Sequence, residues 1–366
     1  MSELFKVIGL MSGTSLDGVD ASLLTTDGET VAWPGPALEL PYRRETRALL
    51  HDALEAARTM TRGAPVPAEI TAAERMLTDA HAVIVALLLA RAEMKPSDID
   101  YVGFHGQTVL HRPAEHWTWQ IGDGAALARL TGIAVVNDFR SADVAAGGQG
   151  APLVPLYHRV LAQSRERPLV VVNIGGVANV TYVGADDTVI GFDTGPGNAT
   201  LDDWAYAQTG EHIDKDGRLA RAGRIDEQRL AAMLRHPTFA VPPPKSLDRF
   251  DFPMSAADGL SGPDGAATLT AFTAASIARA REHFPQSPKG WIICGGGRRN
   301  PVLMEELRRR LGATVLSAED AGWRGDFIEA EAFAYLAVRS VKGLPLSLPS
   351  TTGVPYPTPG GRLSRP

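Results

Sequence analysis

The feature that most constrains the fold is a glycine turn set between apolar runs, met near the start of the chain and again near its middle. Phe5 to Leu10 is apolar and runs into Met11-Ser12-Gly13-Thr14-Ser15-Leu16-Asp17-Gly18, and the alternating Val19, Ala21 and Leu23 lead out. A small polar cluster between two such runs predicts a β-hairpin. Val31 to Leu40 reads as a third strand, weakened by Pro34 and Pro36. The pattern restarts near residue 150. Pro168 to Ile174 is almost wholly apolar, as a central strand would be. Gly175-Gly176 turns the chain, Val177 to Val183 returns, and Val189 to Phe192 ends in Asp193-Thr194-Gly195-Pro196-Gly197-Asn198. Two openings of the same layout predict two related α/β domains facing one cleft, set here at 1–150 and 151–366. A chain of 366 residues has room for both.

Between the openings, apolar residues at helical spacing predict helices over Arg43 to Met60 and Pro67 to Met94, the second with Ile84, Leu87 and Leu88 buried. Ser97 to Phe104 and Ile133 to Val136 read as strands, with a short helix over Gly122 to Leu130. Later helices are expected over Leu201 to Gln208, Asp264 to Arg281 and Ile328 to Val338. A third glycine turn, Gly295-Gly296-Gly297, follows the strand Gly290 to Cys294. It precedes a helix begun by Asn300 with Pro301 in its first turn. The stretch 211–260 shows little periodicity and reads as lobe decoration or a mobile flap. The tail from Pro345 is rich in Pro, Gly and Ser and is expected to lie over the surface.

The first turn can be a plain polar β-turn or an anion cradle. Glycine leaves backbone clearance, and the hydroxyls of Ser12, Thr14 and Ser15 with nearby amides can wrap an anion. Asp17 adds the opposite charge, which suits a metal ion accompanying that anion. The first two turns can close on phosphates, and the third has clearance for a nucleobase or ribose. His105, Gln107, His111, Arg112, His116, Trp117 and Trp119 form a polar and aromatic stretch that suits a sugar. No HExxH or Cys/His spacing supports a histidine metal site there. Asn137, Asp138 and Arg140 follow a strand end, where ligands sit in open α/β sheets. Arg140 can grip a carboxylate bidentately or pair with Asp138 or Asp143. Asp193 suits a base fixed by the Gly-Pro-Gly turn, or a turn cap. Glu329 suits a second carboxylate or a solvated helix position.

Composition excludes several classes. A formal charge of −6 argues against nucleic acid, and Arg308 to Arg310 suit a helix C-terminus. The longest apolar stretch, Ala82 to Ala90, is far short of the roughly 20 residues that span a bilayer. No secretory signal is visible, and the single Cys294 excludes an internal disulfide. A cytoplasmic protein with small-molecule partners and no membrane is expected. The apolar helix from Pro67 can bury itself within one chain or against a second copy, which leaves a homodimer open. No P-loop, protein-kinase catalytic loop or GxGxxG run occurs.

Six strings then carry a resemblance. They are GLMSGTSLDGVD from Gly9, FHGQTVLHRP from Phe104, NDFRSADVAAGGQGAPLVP from Asn137, NIGGVANVT from Asn173, GFDTGPGN from Gly191 and CGGGRRNP from Cys294. With them the chain resembles the sugar-kinase, actin and heat-shock-chaperone ATPase superfamily, and within it the anhydro-N-acetylmuramic acid kinase family. The resemblance implies an α/β fold of two actin-like lobes, duplicated ribonuclease H-like domains with ATP and Mg2+ in the cleft between them. It implies that a 1,6-anhydro amino sugar is opened by water and phosphorylated during cytoplasmic cell-wall recycling. On that basis Gly13, Thr14, Ser15, Leu16, Asp17, Gly18, Val19 and Asp20 are expected to bind ATP, joined by Gly175, Gly176, Gly295, Gly296 and Gly297. Asp17 is expected to orient Mg2+. His105, Gln107, Thr108, Asn137 and Arg140 are expected on the sugar, with Asp193 and Glu329 catalytic. A nucleotide-gated chaperone and a silent sugar-binding module are the competing readings. The first is weakened by the lack of room for a peptide-binding domain.

Overall fold

A computed structural model describes residues 3–13 and 16–366. The chain divides into two compact units, Met1–Val160 with Phe327–Pro366, and Leu161–Asp326. The first unit opens with strands β1 (Phe5–Met11), β2 (Gly18–Thr26) and β3 (Val31–Pro41). Helices α1 (Arg44–Arg58) and α2 (Ala68–Ala92) follow, then β4 (Tyr101–Phe104). A separate hairpin, β5 (Gln107–Arg112) and β6 (Trp117–Ile121), leads to α3 (Gly124–Thr131), β7 (Val135–Asn137), α4 (Ser141–Ala145) and α5 (Pro155–Leu161). The second unit carries β8 (Leu169–Ile174), β9 (Val177–Val183), β10 (Val189–Pro196), α6 (Ala199–Thr209), α7 (Arg218–Arg221), α8 (Glu227–Met233) and α9 (Gly262–Arg279). It ends with β11 (Gly290–Cys294), α10 (Pro301–Leu311) and β12 (Thr314–Ser317). The chain then returns to the first unit as α11 (Ile328–Val341), α12 (Pro349–Thr352) and β13 (Arg362–Ser364).

Both main sheets have one plan. The first runs β13-β7-β4-β1-β2-β3 and the second β10-β9-β8-β11-β12. In each, three consecutive strands form an antiparallel meander, and two later strands add in parallel beyond the first of them. This is the mixed α/β duplication that the paired openings predict. The prolines of β3 are tolerated because it is an edge strand.

The assignment of all of 151–366 to one lobe differs from these units. Helix α11 packs on β1, β2 and β4 of the first sheet. Its small residues Ala330, Ala334 and Ala337 are buried, and Gly9 and Gly103, partners in register on β1 and β4, leave room for its backbone. A Cβ on Gly103 would lie 2.1 Å from the Phe333 carbonyl. The tail is likewise more than a surface strap. Thr351, Thr352 and Val354 are buried, and β13 extends the sheet by pairing with β7.

One burial expectation is corrected, and the stretch 211–260 takes a definite form. Leu87 is 48% exposed, while Ile84 and Leu88 are buried. The buried residues of α2 cover an arc, and Leu87 falls just beyond its edge at about 100° per residue. The stretch 211–260 contains α7, α8 and several 3-10 turns. Its Ala220, Leu230, Met233, Phe239, Phe252 and Ala257 join Leu269 and Phe272 of α9 in a separate apolar core. Short elements joined by prolines carry no long period, so the sequence pattern does not reveal them. Among the described residues no helix is long and apolar enough to cross a membrane.

Candidate active site

In the first unit, the turn between β1 and β2 is closed by Leu16 N–H donating to the Gly13 carbonyl at 3.2 Å. Thr14 and Ser15 lie outside the described residues. Leu16, at φ 53°, takes the left-handed conformation, and its side chain is buried. Gly18 makes room for the neighbouring strand, since a Cβ there would meet the Leu40 carbonyl at 2.6 Å. Val19 faces the core. Asp20 is half-buried and Asp17 is exposed.

Behind the turn lies a buried relay. Ser12 Oγ donates to Gln107 Oε1 at 2.7 Å. Its one proton is thereby used, so the Tyr42 hydroxyl donates to Ser12 at 2.8 Å. Burial, with Asp17 and Asp20 nearby, pushes the Tyr42 phenol up and keeps it a donor. Tyr42 N–H also holds the Asp17 carbonyl at 2.9 Å. Nothing in the sequence marked Tyr42, because its partner lies thirty positions away in the chain.

His105 is buried, with Nδ1 against the Gly106 carbonyl at 2.8 Å. That partner assigns the proton to Nδ1 and leaves Nε2 as an acceptor. Arg140 donates to it from Nε at 3.1 Å and Nη2 at 3.0 Å, and from Nη1 to the Gly150 carbonyl at 2.7 Å. Burial first, then the Arg140 charge, holds His105 well below the usual imidazole range. It therefore orients Arg140 as a neutral ring. Asp143 reaches Arg140 indirectly: its carboxylate accepts Gly150 N–H at 2.6 Å and the Thr352 hydroxyl at 2.5 Å. Glu329 stands in the first turn of α11. Burial pushes its carboxyl up, the Arg140 charge opposes, and Asp17 reinforces. The fold thus brings Asp17 and Arg140 within electrostatic reach of Glu329.

Thr108 and Asn137, also expected on the sugar, lie in β5 and at the end of β7. Thr108 accepts from Gln120 at 3.2 Å, and Asn137 lies against Gly124 at the start of α3. Trp117 and Trp119 pack on the core of the unit, with Arg112 over Trp117. His111 pairs with Thr118 and His116 with the Val144 carbonyl. No group of three or more His, Cys, Asp or Glu suited to a metal occurs among the described residues.

In the second unit the two glycine turns meet. Asn198 N–H donates to the Gly175 carbonyl at 2.7 Å and Gly197 N–H to Gly176 at 3.0 Å. Asn198 Nδ2 donates to the Ile174 carbonyl at 3.0 Å. Gly295, at φ 71°, and Gly297 fit against Asn173, Ile174 and Asn198, where a Cβ would collide. Arg298, buried between Glu319 and Asp326, donates to the Gly295 carbonyl at 2.9 Å and fixes this turn. Asp193 is 9% exposed, beside a bulge between β9 and β10. Its N–H donates to the Lys245 carbonyl at 3.0 Å, and its Oδ2 accepts Leu247 N–H at 2.8 Å. A carboxylate so anchored can present a fixed oxygen to a water molecule.

A family model described as anhydro-N-acetylmuramic acid kinase matches residues 5–363. The anhydro-N-acetylmuramic acid kinase of Nitrobacter winogradskyi is 55% identical over 366 residues, covering 99% of this chain and 100% of that protein. That of Bradyrhizobium diazoefficiens is also 55% identical, with the same coverage. Among solved structures, ligand-bound xylulose kinase from Lactobacillus acidophilus matches 99% of this chain and 94% of that one, at 11% identity and a TM-score of 0.47. With a family match that runs nearly end to end and relatives alike over more than half their positions, the chain belongs to the anhydro-N-acetylmuramic acid kinase family of phosphotransferases.

Proposed function

We propose that the chain uses water to open 1,6-anhydro-N-acetylmuramic acid and transfers phosphate from ATP to the freed oxygen, giving N-acetylmuramic acid 6-phosphate and ADP. The observation that carries this reading is the hold on Asp193: its carboxylate accepts the Leu247 N–H while its own backbone N–H donates to the Lys245 carbonyl. In the anhydro sugar the sixth-position oxygen is tied to the anomeric carbon and has no proton to remove. An ordinary sugar kinase needs a base for a hydroxyl, whereas this substrate needs one for water. Asp193 takes a proton from water as its oxygen bonds to the anomeric carbon. The bond from that carbon to the bridging oxygen breaks, and that oxygen takes the phosphoryl group as ADP leaves. Such transfer needs chiefly positioning and charge neutralisation.

We assign Gly13 to Asp20, Gly175, Gly176 and Gly295 to Gly297 to ATP. His105, Gln107, Thr108, Asn137 and Arg140 go to the sugar. Glu329 is the second carboxylate, orienting water or sugar. The exposed carboxylate of Asp17 fits Mg2+, which is commonly held by one or two carboxylates and substrate phosphates. When bound, Mg2+ supplies charge neutralisation on the phosphates. Cytoplasmic recycling of cell-wall sugars is the setting this chemistry suits.

A coupled assay of ADP release tests the reading. Release is expected to require the 1,6-anhydro sugar, and release indifferent to it would favour a nucleotide-gated regulator. In the same assay Arg140→Ala is expected to raise KM for the sugar about tenfold or more, the scale of a charge-assisted contact, with KM for ATP changed far less. Equal effects on both would make Arg140 structural.

A further inference from the structure

Lys245 has no part in the reaction described above, yet its side chain is buried in the second unit at 7% exposure. Its amine donates to the Thr238 carbonyl at 2.8 Å and to the Val241 carbonyl at 2.9 Å. Both acceptors lie earlier in the same segment, so the amine closes 238–245 upon itself. That closed segment is what grips Asp193. The Lys245 carbonyl accepts Asp193 N–H, and the Leu247 amide two residues on donates to Asp193 Oδ2. One side chain therefore sets the shape of a loop that holds both the backbone and the carboxylate of a single acid.

The surroundings make a lysine here costly. The amine borders a small cavity lined by Phe192, Thr194, Phe239, Ser276, Arg279 and His283. The charged and titratable groups facing it are Asp193 from β10, Arg279 at the end of α9, and Glu282 and His283 in the turn that follows. Burial and Arg279 push the amine below the usual lysine range, while Asp193 and Glu282 oppose that. Packing alone would be met by an apolar side chain of similar length without desolvating a charge. What the amine adds is two directed hydrogen bonds and a positive charge close to Asp193.

We propose that Lys245 is a positioning residue for the general base: its side chain shapes the loop that aims the Asp193 carboxylate, and its amine sets a positive charge near that acid. The inference rests on the reading of Asp193 as the base. Its counterpart elsewhere in the chain is the Asp143 carboxylate, which fixes Arg140 through the Gly150 loop in the same indirect way.

The test uses the full-length enzyme with kcat followed across about pH 5–9 at saturating sugar and ATP. Lys245→Met is expected to lower kcat about tenfold to a hundredfold, the scale of a misplaced catalytic group. It is also expected to move the acid limb of the profile to higher pH and to leave KM for ATP within about twofold. Lys245→Arg, which restores charge and donors, is expected to recover most of the loss and return the limb. A role in folding alone would lower the yield of active enzyme while leaving the limb and the KM values where they were, and that result overturns the proposal. So does wild-type kcat in Lys245→Met. Should that variant fail to fold, Lys245→Gln takes its place. Gln keeps N–H donors without the charge, so the limb must still move, and an unmoved limb counts against the proposal. Asp193→Asn run alongside separates the two ideas. If it stays active, the base assignment falls and this inference with it. If it is inactive while Lys245→Met is normal, only the inference falls.

Discussion

Asp193→Asn is expected to bind ATP as the unaltered chain does and to turn over at least about a hundredfold more slowly, the usual scale of a general base. The substitution is nearly isosteric. The amide oxygen of Asn can still accept Leu247 N–H, and the backbone bond to the Lys245 carbonyl is untouched. Fold and loop geometry are therefore preserved, and what is lost is basicity. Titration calorimetry with ATP and steady-state kinetics with the anhydro sugar measure the two halves separately. Near-normal turnover would remove Asp193 from its assigned role. Loss of ATP affinity would recast it as a nucleotide contact.

The largest expected effect on stability belongs to Gly9→Ala. A Cβ at Gly9 would lie 1.8 Å from the Ala330 carbonyl oxygen and 2.6 Å from Ala334 N. Both are backbone atoms of α11, so no side chain can swing aside. Overpacking commonly costs about 1–3 kcal/mol and occasionally more. With rigid backbone on the receiving side, the upper end or beyond is expected here. Relief would require α11 to lift from β1, carrying Glu329 with it, since Glu329 and Ala330 share the first turn of that helix. Little folded protein is expected, with reduced activity in what remains. Gly210→Ala is the control. That residue has φ 77° but nothing within 4 Å of a built Cβ, so only the left-handed backbone penalty of about 1–2 kcal/mol applies. Thermal melts of the two variants compare them directly. A melting temperature for Gly9→Ala equal to that of the control would contradict the close seating of α11.

The glycine turns were legible because local rules write them. Period-two alternation gives β2, a continuous apolar run gives β8, and Gly, Ser and Asp between them give the turns. Their recurrence also revealed that the fold is built twice. What the pattern concealed depends on distant contacts. Helix α11 follows the second unit in sequence yet belongs to the first sheet, because Gly9 and Gly103 make the only kind of surface its backbone can approach so closely. The absence of a side chain on two strands far upstream leaves no mark in the helix itself.

The site shows the same division. Asp193, Glu329 and Arg140 could be singled out as charged residues at strand and helix ends. Tyr42 and Arg298 could not, since their partners Ser12, Glu319 and Asp326 are remote in the chain. Of the histidine-rich stretch, His105 meets Arg140, while Trp117 and Trp119 pack, half-buried, against the core of their unit. Aromatic residues beside histidines have the same composition whether they meet a sugar or a core, and only burial separates the two.

The central claim is that water enters the sugar as the phosphoryl group leaves ATP, and product formed in heavy-oxygen water tests it most directly. Mass analysis of product quenched early, before its open-chain form can exchange with solvent, is predicted to find one heavy oxygen at the anomeric carbon. The oxygen between the sixth carbon and phosphorus is predicted to be the one the substrate carried. An unlabelled anomeric oxygen, or label in the phosphate ester, would contradict the account.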